Sequence, residues 1–222
     1  MKATVFSKLG YRIMTLIVTF LYSLNGYVAP ATNDPIRTSS QTGANLTVIA
    51  WADSQLSNYM FKRFRYFDAA CEDVSNISEN VDAFFIAGDI AENGLRCEYQ
   101  YITEKLVNAK TDNFLMLVGN HDVRLKNYKN TVKNFTAFAN NLNEKIASPL
   151  RISSLNYRYD VKGYTFIVLG TDKTVFEESY FSQEQLDWLD TNLKDATASG
   201  KPVFVLCHQS LKLTHGLPDT WG

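Results

Sequence analysis

Three cysteines in 222 residues, in no metal-like spacing, do not make a disulfide scaffold. Lys and Arg total 22 against 23 Asp and Glu, for a formal net charge of -1. With no basic surplus there is no signal for a nucleic-acid-binding surface, and no acidic or basic tail is visible. No internal repeat or low-complexity block interrupts the chain. The apolar run from Ile13 to Leu24 spans 24−13+1=12 residues, short of the roughly 20 that a membrane helix needs. Ser210 stands near a histidine, but no Gly-x-Ser-x-Gly turn or third triad member accompanies it, which sets aside a serine hydrolase.

Against these absences stands a composition that is 45% hydrophobic and 13% aromatic, enough for one real core. The first residues read as an address. Lys2, Lys8 and Arg12 precede or border the apolar run, and Ala29-Pro30-Ala31 supplies a small-residue cleavage pattern. Residues 1–31 are therefore expected to be a secretory signal, and the protein to be exported to the periplasm, the cell surface or the medium. The alternative is an uncleaved anchor, which would then be the protein's membrane contact. Residues 32–45 are polar and Pro-containing and read as a linker. Residues 46–222 form the expected domain. Cys207 closes an apolar run and reads as buried, while a Cys71–Cys97 pairing stays open. Asn45, Asn76 and Asn134 each begin a glycosylation triplet, which matters only in a glycosylating host.

Apolar runs alternate with helical patterns. Leu46 to Trp51, Val81 to Ala87 and Phe114 to Val118 read as strands. Leu56 to Val74, Cys97 to Ala109 and Tyr128 to Ile146 read as helices, the last with Val132, Phe135, Phe138 and Leu142 at helical spacing. Tyr157 to Val161 and Tyr164 to Leu169 flank Lys162-Gly163 as a hairpin. Ser182, with Gln185 three residues on, carries a capping-box signature for a helix with a Leu186, Leu189 and Leu193 stripe, ended by Gly200. Pro202 to Cys207 is the last strand. Strand–helix alternation predicts an α/β fold with a largely parallel sheet. Trp51, Phe84 and Phe85 read as core.

Four apolar runs end alike. Val48 to Trp51 leads into Asp53. Phe84 to Ala87 leads into Gly88-Asp89. Leu115 to Val118 leads into Gly119-Asn120-His121-Asp122, and Val203 to Leu206 into Cys207-His208. In an open α/β sheet, ligands bind beyond the carboxyl ends of the strands. Taken singly, each residue reads as a cap, a turn or a hydrogen-bonded histidine. Together, two carboxylates, an amide oxygen and two imidazoles would converge from distant positions, and a plain turn has no need of the histidine in Gly-Asn-His-Asp.

The set Asp53-x-Gln55, Gly88-Asp89, Gly119-Asn120-His121-Asp122 and His208 resembles the calcineurin-like metallophosphoesterase superfamily, over about Thr47 to His208. The Gln185-x-x-Trp188-Leu189 helix start is similar to that of many bacterial members. The resemblance implies two facing mixed sheets flanked by helices, incomplete at the C-terminus. It implies two divalent or trivalent ions, with Asp89 bridging them, Asp53 and Gln55 on the first, and Asn120 and His208 on the second. His121 would serve the leaving oxygen, oriented by Asp122. The expected reaction is hydrolysis of a phosphomonoester or phosphodiester by a hydroxide between the ions. Mixed oxygen and imidazole ligands suit Mn, Fe or Zn, with no choice among them.

Two departures stand out. The superfamily's Asp-x-His opening is here Asp53-x-Gln55, a weaker ligand. Its closing Gly-His-x-His is absent from the 222 residues, and His215 in Thr214-His215-Gly216 does not match it. The expectation is a fragment of a longer protein, short of a ligand for each ion. Arg124 has two readings, a contact to a phosphate oxygen or a solvated loop arginine. The rival function is an exported metal-binding module without turnover.

Overall fold

The computed structural model describes residues 41, 43–57, 60–124, 126–174 and 176–210. The expected signal (1–31), most of the expected linker (32–45) and His215 lie outside the described residues. The elements, in chain order, are β1 (Val48–Trp51), α1 (Phe61–Ser75), β2 (Ala83–Ala87), α2 (Arg96–Leu106), β3 (Phe114–Leu117), α3 (Asn120–Val123), α4 (Tyr128–Lys145), β4 (Tyr157–Val161), β5 (Tyr164–Leu169), α5 (Gln183–Thr197) and β6 (Val203–Cys207). No helix among them is long and apolar enough to cross a membrane.

Strands β1, β2 and β3 pair in that order, all parallel, with Trp51 opposite Ile86 and Ala87 opposite Leu117. Parallel strands packed on both faces read as continuous apolar runs rather than alternating ones. Accordingly Phe84, Ile86, Phe114, Leu115, Met116 and Leu117 are fully buried. Burying one such side chain contributes about 1.5–3 kcal/mol. Trp51 packs edge-on against Phe67 of α1 and Phe84 of β2, which seats α1 on this sheet. Tyr99 of α2 and Phe135 and Phe138 of α4 form a second aromatic group. Asn143 of α4 reaches the border strand β3, accepting from the Phe114 amide at 3.0 Å and donating to its carbonyl at 2.9 Å. Among the described residues those backbone groups have no strand neighbour on that side, and they need such a partner.

The second sheet has the order β4-β5-β6. The β4–β5 pair is antiparallel around Lys162 (φ 51) and Gly163 (φ 77), the two left-handed residues that a tight hairpin turn asks for. Strand β6 runs parallel to β5, and the crossover that parallel pairing requires is α5. The mixed character is thus in the second sheet, while the first is wholly parallel among the described residues. The sheets face each other. The Tyr157 hydroxyl donates to the Met116 carbonyl at 3.0 Å and the Tyr159 hydroxyl to Asn113 Oδ1 at 3.0 Å.

Three expectations are corrected. Helix α1 starts at Phe61, not Leu56. The amides of Asp53, Gln55 and Leu56 are bonded to the carbonyls of Gly88, Asp89 and Ile90, which holds that stretch against the loop after β2. The Leu186, Leu189, Leu193 stripe of α5 is not a buried face: Leu186 is exposed and the other two are half-buried. The helix turns Gln185 and Ala196 inward instead, and Gln185 Nε2 donates to the Gly170 carbonyl at 2.8 Å. The capping box is therefore half formed. Ser182 Oγ accepts from the Gln185 amide at 3.2 Å, while the Ser182 amide goes to Asp172 at 3.0 Å. In Gly-Asn-His-Asp, Asn120 opens the short helix α3. The three cysteines form no disulfide; Cys71 is buried, Cys97 exposed and Cys207 intermediate.

Candidate metal centre

Strands β1, β2 and β3 deliver Asp53, Asp89 and Asn120 to one edge of the first sheet, and β6 brings His208 across from the second. One ligand atom from each of Asp53, Asp89 and His208 lies within 4.8 Å of the other two. The backbone is strained to achieve this. Of five non-glycine residues with positive φ among the described residues, three are Asp53 (57), Gln55 (41) and Asp89 (49). Each such residue costs about 1–3 kcal/mol and persists only where its surroundings impose it.

The two glycines of the motifs make the room. A side chain at Gly88 (φ 91) would collide with the His208 imidazole, and one at Gly119 with Asp89. The glycines precede site residues because another site residue occupies the space a Cβ would fill.

His208 Nδ1 lies 2.8 Å from the Ala87 carbonyl. A carbonyl only accepts, so Nδ1 carries the hydrogen. Nε2 then faces Asn120 Oδ1 at 3.2 Å and Asp89 Oδ1 at 3.4 Å, both acceptors. Three electron-pair donors converge with no hydrogen of their own to share, and only a cation, a proton or a metal, satisfies them together. Burial alone lowers the His208 pKa, but the hydrogen bond and charge of Asp89, the Ala87 carbonyl and the Asp53 charge outweigh it and lift the ring to about 9. Burial also pushes the Asp89 carboxyl upward. The His208 bond and charge, the His121 amide and the Gln55 amide overcome this and hold it below the usual carboxylate range. At Asp53, partial burial raises the pKa; His208 pulls it down and Asp89 adds to the rise. A cluster that binds a proton this firmly is one whose donor set fits a metal ion.

Asp89 is 2% exposed. Its Oδ1 accepts the His121 amide at 2.9 Å and its Oδ2 accepts Gln55 Nε2 at 3.1 Å. Gln55 thus sits beside Asp89 as expected, but presents its nitrogen rather than a ligating oxygen.

Asp122, expected to orient His121, makes its bonds to other groups. The Asp122 carboxylate is 1% exposed and accepts from the amides of Gly119 (3.0 Å), Ala91 (3.1 Å) and Ile90 (3.2 Å) and from the Tyr99 hydroxyl (3.1 Å). Burial pushes it up to about 6 against the pull of those amides. Asp122 lashes the loop after β2 to the loop after β3. His121 is held by Glu92 instead, with Nδ1 at 3.1 Å from the Glu92 carboxylate and 3.3 Å from its carbonyl. Both are acceptors, so Nδ1 bears the hydrogen and Nε2 faces Asp89 Oδ2 at 3.8 Å.

Glu92 is clamped by two arginines. Arg63 donates to it at 2.6 Å and to the Gln55 carbonyl at 2.7 Å, and Arg124 donates to it at 2.9 Å. Arg124 is therefore a paired, largely buried side chain rather than a solvated one. Glu177, in the loop between β5 and α5, accepts from Asn120 Nδ2 at 2.9 Å. Sequence reasoning missed Arg63, Glu92 and Glu177. For Glu92 there was a signal: it lies three residues after Asp89, in the same strand-end loop.

A family model described as calcineurin-like phosphoesterase matches residues 46–222. A search of curated proteins returned no match. On the family match, over a span that holds every residue of the cluster just described, the chain belongs to the calcineurin-like phosphoesterases, a family of metal-dependent enzymes acting on phosphate esters.

Proposed function

We propose that the protein hydrolyses a phosphomonoester or phosphodiester outside the cytoplasm, with two metal ions held by Asp53, Asp89, Asn120 and His208. The observation that carries this reading is the convergence of three electron-pair donors, His208 Nε2, Asp89 Oδ1 and Asn120 Oδ1, on a point that only a proton or a metal ion satisfies. When bound, the ions would supply Lewis acidity toward the phosphate and an acidified water for in-line attack.

The chain's own residues then have distinct tasks. Asp89, low in pKa and central, stays a carboxylate and offsets cationic charge from either side. His208 contributes through Nε2, because Ala87 fixes its hydrogen on Nδ1. His121 presents Nε2 on the Asp89 side, and in its protonated form donates from that atom to the departing ester oxygen. The Glu92 carboxylate behind Nδ1 compensates the imidazolium and fixes the plane of the ring. Arg63 and Arg124 fix Glu92 in turn. Gln55 serves by steadying Asp89, and a ligand role would require its amide to turn over.

A metal-binding module without turnover accounts less well for His121, which a structural ion does not need held in this orientation. The test is metal analysis of the full-length protein with hydrolysis of a chromogenic diester and monoester, beside His121→Ala. The expected result is bound transition metal in both proteins and turnover in the parent alone. Equal turnover in the two removes His121 from the mechanism, and a parent that binds metal but hydrolyses neither ester returns the module reading.

A further inference from the structure

The amide of Asn120 has two nearly isosteric ends, and only one of them can serve a metal ion. The oxygen has lone pairs to give, whereas the nitrogen has two hydrogens. Which end faces His208 and Asp89 is decided by what stands at the other end. That group is Glu177. Its Oε2 accepts from Asn120 Nδ2 at 2.9 Å, leaving Oδ1 at 3.2 Å from His208 Nε2. A carboxylate only accepts, so the amide turned the other way would set oxygen against oxygen at Glu177 and nitrogen against the site.

The loop that carries Glu177 is braced on the site side. Gln209, the residue after His208, donates from Nε2 to the Glu177 carbonyl at 3.5 Å, and Ser179 Oγ bonds to Gln209 Oε1. At its base, the Asp172 amide bonds the Tyr180 carbonyl at 2.8 Å and the Tyr180 amide bonds Thr171 Oγ1 at 3.1 Å. One loop therefore touches both Asn120 and the residue that follows His208. Arg124 Nη1 lies 4.0 Å from Oε1, the other oxygen of the Glu177 carboxylate.

We infer that Glu177 is a positioning residue that selects the oxygen of the Asn120 amide as a ligand for the second metal ion. This rests on the metal reading proposed above, and it belongs to a residue that none of the strand-end motifs contains. Groups that orient a ligand without touching the metal change its affinity about 10–100-fold when removed.

The test is calorimetric titration of manganese into the chelator-stripped chain, the parent beside E177A, E177Q and N120A. The parent is expected to bind two ions. E177A is expected to weaken one of them about 10–100-fold, toward the N120A value, and to leave the other unchanged. E177Q can turn its own oxygen to Asn120 and is expected to keep the parent affinities. Glu177 has 35% of its side chain exposed, so E177A is expected to melt with the parent. Unchanged manganese binding in E177A overturns the assignment. So does an E177Q chain as weak as E177A, which would make charge rather than amide orientation the cause. If E177A instead binds inorganic phosphate more tightly with manganese affinity intact, Glu177 occupies the substrate's place and the assignment also falls. A parent that binds no manganese takes down the metal reading itself and this inference with it.

Discussion

The two histidines of the site share a tautomer and a neighbour but not a support. Each has its hydrogen on Nδ1, fixed by an oxygen behind it, and each turns Nε2 toward Asp89, at 3.4 Å for His208 and 3.8 Å for His121. Behind His208 is the Ala87 carbonyl, a dipole with no net charge. Behind His121 is the Glu92 carboxylate, held by Arg63 and Arg124. A dipole fixes the direction of a ring, while a carboxylate also compensates a positive charge on it. The first arrangement suits a ring that lends a lone pair, the second a ring that carries a proton.

Deleting each ring breaks the comparison most directly. His208→Ala is expected to lose metal, seen by elemental analysis, and His121→Ala to keep it. Turnover in His121→Ala is expected to fall about 10²–10⁴-fold, the usual worth of a general acid. Equal metal loss in both variants would erase the distinction. Asp122→Ala acts on both regions, because it unties the loops after β2 and β3. Leaving buried amides and a hydroxyl unpaired costs about 1–3 kcal/mol each, so a loss of roughly 3 kcal/mol or more in denaturant unfolding is expected. A change within experimental error would return Asp122 to the role the sequence suggested.

The next effect is in pH. The His208 pKa rises from 6.5 to about 9 on folding of the metal-free chain. A raised pKa in the folded state contributes stability that is full below 6.5 and lost as pH climbs through 9. Roughly 3 kcal/mol of metal-free stability should therefore disappear across that window. Metal affinity should rise over the same range, as the ion displaces the proton. Urea titrations of the chelator-treated chain at pH 6 and pH 9 measure the first, and a flat profile would mean that the site does not hold the proton. The smallest effect expected is in Glu92→Gln, which keeps hydrogen-bonding capacity but removes the charge. A loss of about 10–100-fold in turnover with metal content unchanged is expected, and an unaltered rate would reduce Glu92 to a spacer.

Much of this site was legible in the sequence. Asp53, Asp89, Asn120 and His208 each follow an apolar run; parallel pairing of the first three forces their ends to one edge, while His208 arrives from β6 of the facing sheet. The hairpin at Lys162-Gly163 was legible for a similar reason, since a turn with two left-handed residues has a local signature. Asp122 follows His121 directly, but its bonds go to other groups. Consecutive residues in a helix point in different directions, so neighbours in order are not neighbours in space, and α3 is a helix. Glu92, Arg63 and Glu177 were hidden because they lie outside the apolar runs. Their partners are chosen by the conformation of the loop that carries them or that they meet, which no periodicity encodes. The Leu186 stripe failed because helix spacing says which residues share a face, not which face the neighbouring sheet covers.

The bond from His208 to Ala87 crosses from one β layer to the other, and it has a mechanical consequence. A cation gripped by Asp89 and Asn120 on one layer and His208 on the other would act as a rivet through the seam. Shear of the layers by little more than a hydrogen-bond length would shear off a ligand. Heat resistance and ion occupancy should then be a single property of this protein, with an ion at a hundred times its dissociation constant adding about 2.7 kcal/mol.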